Sequence, residues 1–301
     1  GPGQRLRRHI PPTLFLLALV ALLLAAARPM AVITLPSEQQ TIVLAMDVSG
    51  SMRATDVEPD RLTAAQNAAK AFIAELPRHV RVGIVAFAGS AQLAQLPTQS
   101  HEDLVKAIDS FQLQRGTATG NGIMLALATL FPDAGIDIAA LGGRQAMGAR
   151  SLDDAAKQDP AKAFTPVAPG SYNSAAIIML TDGQRTTGVD PLEAAQWAAD
   201  RGVRVYTVGG GTVQGETIGF EGWSMRVRLD EETLKAVALR TQAEYFHAAT
   251  AADLKKVYET LSSRLTVEKR ETEISALLAL VGAALAVLAA GLSVGWFGRV
   301  M

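Results

Sequence analysis

A polar turn with alternating oxygen-bearing side chains follows the first long apolar strand predicted in this sequence. It reads Asp47-Val48-Ser49-Gly50-Ser51, and a chain that turns as it leaves a strand can direct one carboxylate and two hydroxyls toward a common point. Serine, glycine and aspartate are common in turns of every kind, so this pattern alone is weak evidence of a site. Its interpretation depends on what other segments bring to the same place.

Two later segments carry the same kind of side chain. Gly116-Thr117-Ala118-Thr119-Gly120 precedes a predicted helix and offers another hydroxyl, and Asp182-Gly183 follows an apolar strand. Ligands of parallel sheets bind beyond the carboxyl ends of the strands, so we expect the three segments to meet at one edge. Together they supply five oxygen side chains, two of them anionic. Such hard donors suit Mg²⁺, with Mn²⁺ and Ca²⁺ as alternatives.

The elements that must position these residues alternate between strand and helix from residue 40 to about residue 265. This alternation predicts an α/β fold with a doubly wound, mostly parallel sheet that helices cover on both faces. A short strand at residues 91–96 is expected to run antiparallel at an edge. The other predicted strands lie at 41–47, 80–88, 175–182, 203–209 and near 245–246, and the helices at 61–76, 101–111, 121–130, 191–201, 230–241 and 251–265.

Two segments interrupt the alternation. Residues 133–174 are long, rich in glycine and alanine and mixed in charge, which predicts a surface insertion. Residues 209–229 contain a glycine-rich stretch that predicts a loop or a hairpin. Its glycine spacing differs from that of a dinucleotide-binding turn, so we do not interpret it as one.

An apolar run lies at each end of the chain. We predict a transmembrane helix at residues 12–28, after a basic cytoplasmic segment at residues 1–11, and a second at residues 274–298. A cleaved signal peptide is the alternative for the first run, although Arg28-Pro29 is a poor cleavage site. The basic start places the middle of the chain, residues 37–265, outside the cytoplasm. The chain begins Gly1-Pro2-Gly3 without an initiator methionine, so we expect natural sequence to be missing upstream.

Composition excludes several classes of site. The chain has 301 residues, a formal net charge of −1 and no cysteine, so it offers no thiolate chemistry and no overall charge that favours nucleic acid. Its four histidines are scattered. The Gly-x-Ser-x-Gly pattern at residues 291–295 lies inside the predicted second transmembrane helix and not at a strand-to-helix turn, and no phosphate-binding loop with Gly-Lys-Ser/Thr occurs. These absences argue against an enzyme.

The three polar segments, DVSGS, GTATG and LTDG, resemble the metal-ion-dependent adhesion site of von Willebrand factor type A domains. The resemblance implies a Rossmann-like fold and a divalent metal with one coordination position open to an acidic side chain of a protein partner. Gly50, Thr119 and Gly183 would support the site. The metal-site residues that the resemblance implies are Asp47, Ser49, Ser51, Thr117 and Asp182.

A narrower resemblance covers nearly the whole chain. SMRATDVEPDRL at residues 51–62, VGIVAFAG at 82–89 and VRLDEETL at 227–234 resemble Bat-type membrane proteins of bacteria, as does the order of span, domain and span. Such proteins often have one more span upstream. The resemblance implies a cell-membrane protein that works with a MoxR-type AAA+ ATPase in envelope stress or assembly.

Three functions follow from these observations. The first is a metal-dependent protein-binding module anchored in the membrane, serving as an adaptor or assembly factor. The second is a structural subunit in which the metal only stabilises the fold. The third is a metal-dependent hydrolase. Against this function, the sequence has no histidine or glutamate placed as a general base near the motif.

Overall fold

A computed structural model describes residues 2–27, 30–33, 40–141, 164–220, 223–266, 270–273 and 275–297. Contacts within the chain divide it into two units, one formed by Gly1–Pro36 with Val267–Met301 and the other by Ser37–Thr266. Most of the predicted insertion, residues 142–163, lies outside the described residues, as do Arg28 and Pro29.

The described strands belong to three sheets. Their bounds are β1 Met30–Ile33, β2 Thr41–Asp47, β3 Arg81–Phe87, β4 Ala91–Thr98, β5 Ala175–Thr181, β6 Arg204–Gly210, β7 Glu216–Phe220, β8 Trp223–Val227, β9 Tyr245–Ala248 and β10 Arg270–Glu273.

The described helices include a short 3₁₀ turn, Gly50–Arg53, directly after β2. The α-helices are α1 Pro2–Ala26, α2 Arg61–Glu75, α3 His101–Asp109, α4 Thr119–Leu130, α5 Ile138–Leu141, α6 Pro191–Asp200, α7 Glu231–Arg240, α8 Ala251–Thr266 and α9 Ser275–Phe297.

The larger unit is built on a six-stranded sheet in the order β4-β3-β2-β5-β6-β9. All neighbours are parallel except β4, which pairs antiparallel with β3 at one edge. The central strands β2 and β5 are buried almost throughout, because apolar helices cover both faces of the sheet. The predicted doubly wound α/β fold and its antiparallel edge strand are therefore confirmed.

Each face of the sheet has its own apolar core. Residues of α2, α3 and α8 pack on one face, and residues of α4, α6 and α7 pack on the other. Large side chains such as Phe72 of α2 are 1% exposed, and burial of one such side chain contributes roughly 1.5–3 kcal/mol. Two rigid cores hold the strand ends in place, and those ends carry the candidate site.

Side-chain caps fix where several helices begin. Asp60 accepts a hydrogen bond from Thr63 N at the start of α2, Asp190 caps α6, and Asp230 caps α7. Ala118, which precedes α4, provides no side-chain cap, so the first amides of α4 have no such partner. Helix α4 begins at Thr119, two residues before its predicted start, because the preceding glycine-rich segment already turns into the helix.

The hairpin β7–β8 occupies the glycine-rich segment that we predicted to be a loop or a hairpin. Strand β7 starts after Gly215, whose φ of +76° belongs to the left-handed region that glycine favours.

The smaller unit contains α1 and α9, which pack together through small residues. Ala18 and Ala289 are buried, and a Cβ added to Gly282 would lie 2.9 Å from the Leu22 side chain. The helical segments His9–Ala26 and Ala276–Trp296 have mean hydropathies of 2.1 and 2.5, so both helices are long and apolar enough to cross a membrane.

Two features of this unit differ from the prediction. Helix α1 begins at Pro2 rather than near residue 12, and it contains Pro11 and Pro12. Prolines favour the first turn of a helix, so the sequence indicated a later start. Strands β1 and β10 pair antiparallel, with Met30 opposite Glu273. We did not predict this pairing, because the two four-residue strands lack a shared apolar pattern.

Candidate metal centre

The fold brings the three polar segments to one edge of the sheet. Strands β2 and β5 are parallel neighbours in which Met46 pairs with Leu180, so Asp47 and Asp182 follow at the same edge. The segment before α4 joins them there, because Gln114 N donates a hydrogen bond of 2.8 Å to the Val48 carbonyl. The placement that the sequence predicted for these segments is thus present.

Asp47 is held in one orientation by hydrogen bonds to both of its carboxylate oxygens. Ser49 N donates to Oδ1 at 2.8 Å, and Thr181 Oγ1 donates to Oδ2 at 2.5 Å. The Ser49 and Ser51 hydroxyls lie 2.9 Å apart. One carboxylate and two hydroxyls therefore converge, as the alternating pattern of the turn predicted.

Asp182 is fully buried, and the turn after β5 fixes its position. Gln184 N donates to Oδ1 at 3.2 Å. Gly183 has a φ of +79°, and a Cβ there would lie 2.7 Å from the Asp230 carbonyl oxygen. Gly183 is thus required for both backbone conformation and space, which gives its predicted supporting role a physical reason.

Thr117 lies 5% exposed in the segment before α4. Its amide donates to Thr186 Oγ1 at 2.8 Å, and its carbonyl accepts from the Thr186 amide at 2.9 Å. Since Thr186 follows Asp182 by four residues, these bonds tie the threonine segment to the Asp182 turn.

The other two supporting residues differ in character. Thr119 is fully buried, and its hydroxyl has no hydrogen-bond partner among the described residues. A buried hydroxyl without a partner costs free energy, which an additional ligand at this edge could offset. Gly50 has open space where a Cβ would lie, so the structure gives no steric reason for glycine there.

Burial dominates the electrostatics of the two carboxylates. Burial, followed by the negative charge of Asp182, raises the pKa of Asp47 to about 7, although hydrogen bonds from Ser49 and Thr181 lower it. Burial also raises the pKa of Asp182, against the lowering effects of a Ser51 hydrogen bond and the Arg61 charge. Both carboxylates are therefore stabilised by any cation that binds between them.

The donor set fits a hard divalent cation. Two carboxylates and three hydroxyls offer oxygen alone, the chemistry that Mg²⁺, Mn²⁺ and Ca²⁺ prefer. Within the part of the chain that the structure describes, no group of three or more histidine, cysteine, aspartate or glutamate side chains is placed to hold a metal. The five candidate ligands, Asp47, Ser49, Ser51, Thr117 and Asp182, are at most 6% exposed.

Sequence reasoning missed Arg61 as a residue of this site. Its guanidinium is buried, lies 3.3 Å from Asp182 Oδ2 and pairs with Asp56 at 2.7 Å. Burial would lower the pKa of Arg61, but the two aspartates outweigh it and raise the pKa. Asp56 behaves conversely, because Arg61 outweighs burial and lowers the pKa of that carboxyl. Arg61 is the first residue of a helix, a position that is usually solvated, so its sequence carried no signal of burial.

Comparison with known proteins agrees with the fold. The family model of the von Willebrand factor type A domain matches residues 42–184. A UPF0353 protein of Mycobacterium leprae is 33% identical over 275 residues, covering 89% of this chain and 73% of the relative. A UPF0353 protein of Nocardia farcinica is 34% identical over 306 residues, covering 97% and 82%.

Similar folds are found among solved structures. The crystal structure of the conserved hypothetical protein BatB from Bacteroides thetaiotaomicron is 24% identical, with a TM-score of 0.54. The match covers 74% of this chain and 98% of the BatB chain.

Proposed function

This chain belongs to the UPF0353 family and contains a von Willebrand factor type A domain, and we propose that it is a membrane-anchored, metal-dependent protein-binding module. The observation that carries the proposal is that two buried carboxylates and the Ser49 and Ser51 hydroxyls meet at one edge of the sheet, where the segment with Thr117 joins them. A divalent cation bound there supplies positive charge that attracts an acidic side chain of a partner. The protein's own residues orient the oxygens and exclude water.

The surroundings of the site support an acidic partner. Each of the three polar segments has an exposed arginine close to its candidate ligands: Arg53 follows Ser51, Arg115 precedes Thr117, and Arg185 follows Asp182. Arg185 lies 3.2 Å from Asp190, which caps helix α6. Positive charge at the rim of a site attracts acidic surfaces and accelerates their association.

The apolar helices α1 and α9 support the membrane anchor. We propose a multi-pass protein of the cell membrane with its domain outside the cytoplasm, as the basic first segment indicates. The resemblance to Bat-type proteins favours an adaptor or assembly factor of the bacterial envelope. A MoxR-type AAA+ ATPase is the partner class that this resemblance implies.

The proposal includes no catalytic step. The UPF0353 relatives and BatB are not described as enzymes. The two aspartates are accounted for as metal ligands, and neither a nucleophile nor a general base is assigned to them.

One observation favours a structural alternative. The candidate ligands are all deeply buried, with Ser51 at 6% the most exposed of them. A metal in such a place could stabilise the fold without touching a partner. The complex would then form through α1 and α9 or another surface.

Co-purification separates these possibilities. The intact chain would be isolated from membranes in Mg²⁺, in EDTA, and as Asp47→Ala, with Asp133→Ala as the matched control. Asp133 is exposed and follows the far end of α4, roughly 16 Å from Thr119 along the helix axis.

We expect a partner to co-purify in Mg²⁺ with the wild type and with the Asp133→Ala control. The same partner should be absent in EDTA and from Asp47→Ala. An identical set of partners under all conditions would reject metal-gated binding in favour of the structural role.

A further inference from the structure

We propose that Arg61 is a positioning residue that couples the occupancy of the metal site to the β7–β8 hairpin. This inference rests on the proposed function, because it requires that a divalent cation binds near Asp182. The hairpin contains none of the candidate metal ligands, and the inference gives it an indirect role in metal binding.

Arg61 holds two carboxylates at once in a buried place. Its Nε and Nη2 atoms each donate to one oxygen of Asp56 at 2.7 Å. Its Nη1 donates to Asp182 Oδ2 at 3.3 Å. Arg61 is 2% exposed and Asp182 is fully buried, whereas Asp56 is partly exposed, so the ion pair with Asp182 is the more completely removed from water. The planar guanidinium fixes the distance between Asp56 and Asp182.

Asp56 extends the network to the segment before the hairpin. Its Oδ2 also accepts hydrogen bonds from Thr212 N at 3.0 Å and Thr212 Oγ1 at 3.1 Å. Gly211, with a φ of +112°, lies against the guanidinium, where a Cβ would approach Arg61 Nη2 to 2.5 Å. The chain entering the hairpin is therefore packed directly on Arg61.

The hairpin itself is bonded to the loop that carries Asp56. The Glu216 carboxylate of β7 accepts from Thr55 N at 2.7 Å and from Asp56 N at 2.9 Å. Ala54 of the loop and Ile218 and Val227 of the hairpin form a small buried apolar cluster. A continuous set of contacts thus runs from Asp182 through Arg61 to the hairpin.

The charge of Asp182 provides the coupling. Without a cation, Arg61 is the charged group that pairs with this carboxylate. When a divalent cation also attracts Asp182, Arg61 pairs more fully with Asp56. Asp56 is then held more firmly and, through its two hydrogen bonds from Thr212, orders the chain that enters the hairpin. Coupling of two sites is reciprocal, so ordering of the hairpin must in turn strengthen metal binding.

Hydrogen exchange of the full chain in detergent micelles tests this inference, with calorimetric Mg²⁺ titration of the same samples. In the wild type we expect amides of residues 211–220 and 224–227 to exchange at least about fivefold more slowly with Mg²⁺, the lower end of typical coupling. Arg61→Lys keeps the charge but loses the two-pronged contact with Asp56. We expect it to bind Mg²⁺ and to lose the Mg²⁺ effect on the hairpin. Arg204→Lys, which alters a partly buried arginine on β6, is the control and should retain the effect.

A purely structural role gives a different result. Arg61→Lys would then accelerate hairpin exchange by the same factor with and without Mg²⁺, which would overturn the coupling. Wild-type Mg²⁺ binding with no change in hairpin exchange would overturn it as well, while leaving the proposed function intact. No Mg²⁺ binding in the wild type would reject the proposed function and, with it, this inference.

A second variant keeps the test independent of Arg61. Glu216→Gln leaves every candidate ligand in place and weakens the hairpin's attachment to the loop. Reciprocity predicts that its Kd for Mg²⁺ rises about fivefold or more. An unchanged Kd in a folded Glu216→Gln protein would contradict the proposal.

Discussion

Asp47 and Asp182 are buried carboxylates whose raised pKa values report that charge is unfavourable there without a counter-ion. Proton and metal therefore compete for the same oxygens. Arg61 offsets part of the charge of Asp182 and pairs more closely with Asp56, so it does not neutralise the site. At the scale of single residues, the site is poised to take up either protons or a cation.

The pH dependence of stability follows from this competition. In EDTA, the native state keeps a proton on Asp47 up to about pH 7, whereas the unfolded chain loses it near its ordinary pKa of 3.8. The native state binds more protons between those values, so we expect Tm to fall as pH rises through that window. Asp56 makes stability rise with pH, the opposite dependence, because its pKa is lowered in the native state. Its contribution changes below the ordinary pKa of 3.8 and so lies outside this pH range.

Saturating Mg²⁺ should remove this fall, because the cation replaces the proton, and Asp47→Asn should reduce it in EDTA. Thermal unfolding of the full chain across pH checks both expectations. A Tm in EDTA that rises steadily from pH 4 to pH 7 would contradict the assignment.

Two glycines offer a matched comparison. Gly183→Ala must place a Cβ at a φ of +79° and 2.7 Å from the Asp230 carbonyl oxygen, so we expect a loss of about 1–3 kcal/mol in the free energy of unfolding. Gly50→Ala meets open space, so its change should stay within about 0.5 kcal/mol. Chemical denaturation measures both, and equal effects would argue against the steric role of Gly183.

The candidate ligands could be predicted from sequence because each follows a strand or precedes a helix. Parallel strands bring such positions to one edge of the sheet, so Asp47 and Asp182 lie together independently of the conformation of the loops. Thr119, in the segment that leads into α4, was predicted in a supporting role on the same grounds, but Arg61 could not be assigned in this way. The burial of Arg61 depends on Asp56 and Thr212, the latter 151 positions later in the chain, and no local pattern records that contact.

At the scale of elements, α8 packs on α2 through Tyr258 and Phe72, whose ring centroids are 5.1 Å apart. The Tyr258 hydroxyl is buried without a hydrogen-bond partner among the described residues, and burial raises its pKa. The contact between the two rings therefore stabilises the packing of α8 on α2, whereas the buried hydroxyl without a partner destabilises it.

Tyr258→Phe should accordingly leave stability unchanged or raise it by about 1 kcal/mol, because it removes an unsatisfied polar group. Tyr258→Ala should cost about 3–5 kcal/mol through the cavity that it opens. Equilibrium denaturation distinguishes the two variants. A loss for Tyr258→Phe similar to that for Tyr258→Ala would show that the hydroxyl has a partner.

Elements with strong local patterns were predicted, and those that depend on distant pairing were not. The apolar runs of β2 and β5 are typical of buried parallel strands, and Asp190-Pro191 is a typical helix start. The pairing of β1 with β10 joins segments more than 230 positions apart, and neither has an alternating apolar pattern. The choice between a loop and a hairpin at β7–β8 also depended on contacts with the loop carrying Thr55.

At the scale of the whole molecule, α1 and α9 are the proposed anchors, and the absence of cysteine makes the topology directly measurable. A cysteine introduced as Ala94→Cys lies on the exposed edge strand β4. In intact bacterial cells expressing the chain, we expect it to react with a membrane-impermeant maleimide. Gln4→Cys, in the basic first segment, should react only after permeabilisation. The reverse pattern would place the domain in the cytoplasm.

Calorimetric titration of Mg²⁺ into the purified full chain tests the central claim most directly, with wild type, Asp182→Asn and Asp133→Asn compared at the same pH. We predict saturable binding at one site in the wild type and in Asp133→Asn, and affinity reduced by at least about 100-fold in Asp182→Asn. Equal binding in all three, or none in the folded wild type, would contradict the assignment of this edge of the sheet as a metal site.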